Sequence, residues 1–77
     1  MSDVINSHAS TITIIANGHP RTVKAGSTIA DLLQELNIAA TRVVAQLDGV
    51  VVSRSEFGQA VLREGCRLEV VTMVGGG

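Results

Sequence analysis

Residues 11–36 read TITIIANGHPRTVKAGSTIADLLQEL, and this stretch decides the fold. Its first six residues, TITIIA (11–16), alternate and are rich in β-branched side chains, the pattern of a strand with Ile12 and Ile14 on one face. Asn17-Gly18 follows, and because both positions tolerate positive φ the pair predicts a tight hairpin turn. Pro20 through Ala25 returns as a second strand, with Val23 inward and Arg21 and Lys24 on an edge or face that stays wet. Proline suits the first residue of an edge strand, where no ladder amide is required. The pattern then changes period. In AGSTIADLLQEL (25–36), Ile29, Leu32, Leu33 and Leu36 fall at i, i+3, i+4 and i+7, one apolar stripe of a helix. Asp31, Gln34 and Glu35 take the other side. Thr28 is a good N-cap, and Asp31 supplies a capping-box-like partner, shorter than the preferred Glu. In a domain this small the stripe belongs against a core.

Downstream, VVAQLD (43–48) predicts a third strand, with Val43, Ala45 and Leu47 inward and Val44 and Gln46 outward. Asp48-Gly49 is a second hairpin signal, and Val50 to Val52 a short fourth strand. Ser53 and Glu56 have capping-box spacing, which predicts a short helical turn holding Phe57, Ala60 and Val61 against the core. Glu64-Gly65 marks a turn, and CRLEVVTMV (66–74) a last strand. Leu68, Val70 and Thr72 then face one way, Leu68 and Val70 into the core, while Arg67, Glu69, Val71 and Met73 face the other. The sum is an α+β domain: a mixed sheet of four to five strands, one main helix packed across it and a short helical turn. Residues 1–10 read as a mobile leader, 11–74 as the domain and 75–77 as a flexible glycine tail.

The composition narrows function mostly by exclusion. At 77 residues the chain is one domain. Such a chain buries only about 60% of the surface its unfolded form exposes. Phe57 is the single aromatic, so the core is aliphatic and no set of rings exists for stacking bases. Net charge is −1 with no basic block, so a nucleic-acid footprint is missing. No apolar run approaches the ~20 residues of a membrane span. The stretch MSDVINSHAS lacks a basic start and an apolar core, so no secretory signal is read and a cytoplasmic protein is expected. Cys66 is the only cysteine, which leaves no internal disulfide and no iron–sulfur site. His8 and His19 are far apart and read as solvated loop residues, so no metal site is expected. No nucleophile–base pair or carboxylate pair suggests an enzyme.

Gly75, Gly76 and Gly77 follow the last strand directly. Lacking Cβ atoms, they can pass through a groove too narrow for other side chains, and they cannot anchor themselves by packing. Ordering each costs on the order of 1–2 kcal/mol of backbone entropy, so the tail is expected to order only inside a partner. Three extended residues reach at most ~10 Å from the domain body. A terminal carboxylate is a poor electrophile until activated, and ATP-dependent adenylation of an unhindered glycine turns it into an acyl donor.

The segments IIANGHPRTVKAGSTIADLLQEL, VVAQLDGVVVSRSEF and REGCRLEVVTMVGGG carry a resemblance. A hairpin–helix–strands domain ending in Gly-Gly resembles the β-grasp, ubiquitin-like group, and more closely the ThiS family of sulfur carriers in thiamin biosynthesis. The resemblance spans essentially everything after residue 10, and VTMVGGG is its most specific part. It implies that a ThiF-like adenylyltransferase activates the carboxylate of Gly77 with ATP. Sulfur from a cysteine-desulfurase relay then leaves a thiocarboxylate there, and a ThiG-like thiazole synthase takes that sulfur into the thiazole ring. The carrier is thereby a protein co-substrate without a bound cofactor, and a monomer when free. Gly76 and Gly77 map onto the family's terminal pair, and Gly75 precedes them. Val71, Met73 and Arg67, beside the tail, form the expected partner patch. The ten leading residues are extra. Cys66 stands where the family more often has an acidic residue, and a packing role is expected for it rather than a sulfur-handling one. The alternatives are a molybdopterin-synthase small subunit of the MoaD type, which tends to carry a proline before its glycines, and a ubiquitin-like modifier joined to lysines through Gly77.

Overall fold

In the computed structural model, residues 10–73 are described. The leader through Ala9, with His8, and the tail with Val74, Gly75, Gly76 and Gly77 lie outside the described residues. The elements run β1 (Thr11–Ala16), β2 (His19–Lys24), α1 (Ile29–Glu35), a 3₁₀ turn (Ala40–Arg42), β3 (Val43–Leu47), β4 (Val50–Val52), a second 3₁₀ turn (Arg54–Glu56) and β5 (Arg67–Thr72). The sheet has five strands in the order β2-β1-β5-β3-β4, so the last strand in sequence lies at the centre. β1 pairs antiparallel with β2 and parallel with β5, and β3 pairs antiparallel with both β4 and β5. This is the mixed sheet the sequence predicts, with its strand count at the upper value.

Both hairpins turn where the dipeptides place them. Asn17 and Gly18 have φ of 51° and 84°, and Asp48 and Gly49 the same values, the left-handed pairs that match strand twist. The second strand begins one residue before the expected Pro20, at His19, and ends at Lys24. Arg21 departs from its expected wet position: it sits opposite Ile14 on the helix-facing side, half-buried, with its Nε covered. β2 is an edge strand, so the guanidinium can still reach water around the sheet's rim.

Helix α1 covers one face of the sheet. Ile14, Val23, Ile29, Leu32, Leu33, Val43, Ala45, Phe57, Leu62, Cys66 and Leu68 form the buried cluster. Cys66 is thus a packing residue, as read. The capping box is complete: the Asp31 amide donates to Thr28 Oγ1 at 3.1 Å, and the Thr28 amide donates to Asp31 Oδ2 at 3.0 Å. A helix leaves its first four amides without helical partners. Here Ile29 N–H donates to the Ala60 carbonyl at 3.1 Å and Ala30 N–H to that of Phe57 at 3.0 Å. The loop after the second 3₁₀ turn therefore completes what the cap begins. At the other end Asn37, with φ 62°, adopts the left-handed conformation, and the Asn37 and Ile38 amides donate to the carbonyls of Gln34 and Leu33. That bond pair is a Schellman stop. Leu36 lies at this stop and is 37% exposed, so it ends the stripe rather than completing the core.

The segment after β4 corrects two expectations. The Ser53 side chain does not cap the turn; it lies 3.3 Å from Ser55 Oγ, and the turn closes through backbone bonds. Phe57 is buried and Ala60 half-buried, but Val61 is exposed and Leu62 takes its place in the core. The cause is a change of period. Val61 bridges Thr28 in extended conformation, so neighbours alternate and the inward position falls on residue 62. No helix among the described residues is long and apolar enough to cross a membrane.

Candidate functional site

The chain leaves the domain through β5, so the setting of that strand fixes where the following residues start. β5 is gripped from both sides. On the β3 side, Asp48 N–H donates to the Arg67 carbonyl at 2.8 Å and Met73 N–H donates to the Arg42 carbonyl at 2.7 Å. These two bonds bracket the antiparallel register from Leu47↔Leu68 to Val43↔Thr72. In such a ladder the bonded pairs alternate, so the odd-numbered residues of β5 direct their N–H and C=O groups at β3. The even-numbered ones face β1, where Asn17 N–H donates to the Leu68 carbonyl at 2.8 Å.

The backbone of β1 ends at Ala16, but the pairing does not. Val70 N–H donates to Asn17 Oδ1 at 2.8 Å, and Asn17 Nδ2 donates to the Val70 carbonyl at 3.1 Å. The amide side chain thus imitates one more residue of a neighbouring strand. Asp48 acts similarly at the strand's start, its Oδ1 accepting from Arg67 N–H at 2.9 Å. The two residues that open the hairpin turns are therefore also the two side chains that clasp β5. The dipeptide pattern announces the turns. It carries no signal for the clasp, which joins residues 53 positions apart at Asn17–Val70.

The second part of the site is the sheet face opposite α1. Arg67, Glu69, Val71 and Met73 lie there, as the alternation of the last strand predicts. The register adds neighbours: Val44 is directly opposite Val71, and Val51 is opposite Gln46. Val71 is 62% exposed, Val51 61%, Met73 49% and Val44 43%. Singly exposed apolar residues are ordinary. Four on a face that no element among the described residues covers, two of them cross-strand partners, make a patch that runs toward the point where the chain leaves β5. The predicted patch residues Val71, Met73 and Arg67 are thus brought onto one face. Val44 and Val51 were not expected in it. Val44 was legible as outward-facing, but its position beside Val71 depends on non-local pairing. Gly75, Gly76 and Gly77 lie outside the described residues.

Comparison with known proteins agrees with this fold. Residues 14–77 match the model of the ThiS family. The crystal structure of a thiamine biosynthesis protein (ThiS) from Geobacter metallireducens superposes with a TM-score of 0.73 at 30% identity, covering 86% of this chain and all of that one. A thiazole synthase of Magnetococcus marinus is 41% identical over 61 residues, 79% of this chain. A thiazole synthase of Paramagnetospirillum magneticum is 31% identical over 64 residues, 83% of this chain. The chain spans only about a fifth of the length of these two relatives, 19% and 20%.

Proposed function

The chain belongs to the ThiS family, and from that premise we propose that it is a sulfur carrier of thiamin biosynthesis, loaded at the carboxylate of Gly77. The observation that carries the reading is the span of the family match, which runs from within β1 to Gly77 and so includes the glycines as well as the fold. A ThiF-like enzyme joins the Gly77 carboxylate to AMP, releasing pyrophosphate. Persulfide sulfur from a cysteine-desulfurase relay displaces AMP and forms an acyl disulfide; a thiol then cleaves its S–S bond, ending as a disulfide with the relay's sulfur and leaving the thiocarboxylate on Gly77. A ThiG-like thiazole synthase takes the sulfur into the thiazole ring. Two longer relatives named thiazole synthase contain a segment like this chain, which supports that acceptor over a molybdopterin or lysine acceptor. In this reading the carrier is a co-substrate that holds no cofactor of its own, and ATP is consumed by its partner. Loading that consumes ATP is compatible with the cytoplasmic location expected from the sequence.

The chain's own contribution is presentation. The clasped central strand holds a fixed starting point, and the open face beside it offers a surface to the enzyme. Gly75 and Gly76 bring no side chain into the path of the acyl group. The test is the intact mass of the protein after incubation with ATP, a sulfide source and a ThiF-like enzyme. The expected result is a gain equal to one oxygen replaced by sulfur, absent when Gly77 is deleted, with the melting curve of the deletion variant unchanged. A conjugate joined through Gly77 to a lysine of another protein would replace this reading with that of a modifier.

A further inference from the structure

We propose that two copies of this chain pair through β4, edge to edge and antiparallel, about a two-fold axis at Val51. The proposal is independent of the sulfur-carrier reading, and it departs from the monomer that the family resemblance implies. It starts from a contrast between the two edge strands of the sheet, β2 and β4. An edge strand presents unpaired N–H and C=O groups, and proline or charged side chains keep other strands away from them. β2 carries Pro20, Arg21 and Lys24. β4 is Val50-Val51-Val52 and carries neither. The ladder shows where the free groups of β4 lie. The odd-numbered residues of β5 face β3, so their partners Val44 and Gln46 turn their backbone groups toward β5, and Ala45 and Leu47 turn theirs toward β4. The bonded pairs of the hairpin are then Leu47↔Val50 and Ala45↔Val52, and Gln46↔Val51 is the unbonded one. Val51 therefore directs its N–H and C=O away from β3, and no strand among the described residues meets them there.

A second copy meets them with the same two groups. With Val51 opposite Val51 of the second copy, each N–H donates to the other's C=O, a closed and self-complementary pair of hydrogen bonds. The rest of the register follows from the two-fold axis. Val50 comes opposite Val52 of the second copy, on the face that α1 covers. Val50 needs such a neighbour: it is 66% exposed although it lies on the core side of the sheet, opposite Leu47. Val52 lines a groove of about 260 Å³ with Glu56, Gln59 and Ala60, so Val50 of the second copy lies at the mouth of that groove. One step further out, Asp48 comes opposite Arg54 of the second copy, and both are exposed. Asp48 gives one oxygen to the Arg67 amide, and a carboxylate has further acceptor sites. The two-fold axis repeats this acid–base pair at both ends of the contact. The match of charges is what favours a second copy, antiparallel, as the occupant: a parallel approach in register would set Asp48 against Asp48 and Arg54 against Arg54. The contact is smaller than a standard interface, so it forms at high protein concentration and not at trace level.

Sedimentation equilibrium of the full chain, from about 1 μM to about 1 mM, reads the assembly. The average mass is expected to rise toward twice that of the monomer, and less steeply at high salt, where exposed ion pairs are screened. Arg54→Glu sets a carboxylate against Asp48 and is expected to weaken association about tenfold, with an unchanged melting curve. Crosslinking reads the position. Val51→Cys places a thiol beside the two-fold axis, with the two Cα atoms about 5.5 Å apart, within disulfide reach. Glutathione disulfide oxidises the two thiols to a disulfide, itself ending as two glutathione thiols, and a covalent dimer is expected. Val44→Cys lies on the same open face but one strand further in, so its two copies stand at least about 14 Å apart, and it should link about tenfold more slowly or not at all. The native Cys66 is buried and common to both variants. A mass that stays at the monomer value through about 1 mM would overturn the proposal. So would association that Arg54→Glu leaves unchanged, or equal linking at positions 44 and 51, since either result puts the contact elsewhere. None of these outcomes bears on loading at Gly77, so the proposal and the carrier reading stand or fall separately.

Discussion

Asn17 carries two tasks on one side chain and one backbone conformation. Its φ of 51° is what a tight hairpin needs, and its amide group makes both hydrogen bonds to Val70. The tasks separate by substitution. Asn17→Gly keeps the left-handed conformation and loses the clasp, which should cost about 1–2 kcal/mol for two exposed hydrogen bonds. Asn17→Ala loses the clasp and also strains the turn, adding about 1–2 kcal/mol. Denaturant unfolding should therefore rank wild type above Asn17→Gly above Asn17→Ala. If the glycine variant equals wild type, the clasp contributes nothing and the residue serves only the turn. Turn chemistry is local, so Asn-Gly was readable as a hairpin. The partner of the side chain is not local, so the clasp was hidden until β5 was placed.

At the scale of the element, helix α1 separates what periodicity can tell from what it cannot. The stripe gives Ile29, Leu32 and Leu33 as core residues, and all three are buried. It also gives Leu36, which is partly exposed because the Schellman turn at Asn37 redirects the chain there and passes the next apolar contact to Ile38. Leu33→Ala should therefore cost roughly 2–5 kcal/mol, as a filled core position leaves a cavity. Leu36→Ala should cost distinctly less, and equal losses in thermal unfolding would show that the helix end is packed after all. The same limit explains Val61 and Leu62. A helical spacing carried forward from Phe57 reaches residue 61, but the bridge to Thr28 makes the chain extended there and moves the core position by one. That bridge joins residues far apart in sequence, and no window around Val61 contains it.

Among the described residues, the sheet has one face covered by α1 and one face left open, and the last strand is its centre. The sequence order hides this: β5 comes last, yet it inserts between β1 and β3. Core and outward residues of the strand could be told apart by alternation, so Val71 and Met73 were legible as an exposed pair. The company they keep was not. Val44 joins them only because β3 runs antiparallel beside β5 in the observed register, and a slip of one residue would send Val44 to the core side. If the open face is the docking surface, the energy of docking should concentrate where the patch is closest to the departing chain. Val71→Lys replaces a largely exposed side chain, so its cost to stability should stay within about 1 kcal/mol, the span of strand preference. Its cost to the complex with the proposed ThiF-like enzyme should reach about tenfold in Kd, since a desolvated charge would meet an apolar surface. Val51→Lys, on the edge strand β4 and farther from the departing chain, should cost less. Calorimetric titration of the two variants against the enzyme distinguishes the cases. A loss graded from Val71 to Val51 assigns docking to the open face; unchanged affinity in both would leave recognition to the backbone of β5 and the residues after it, and the apolar patch to some other contact.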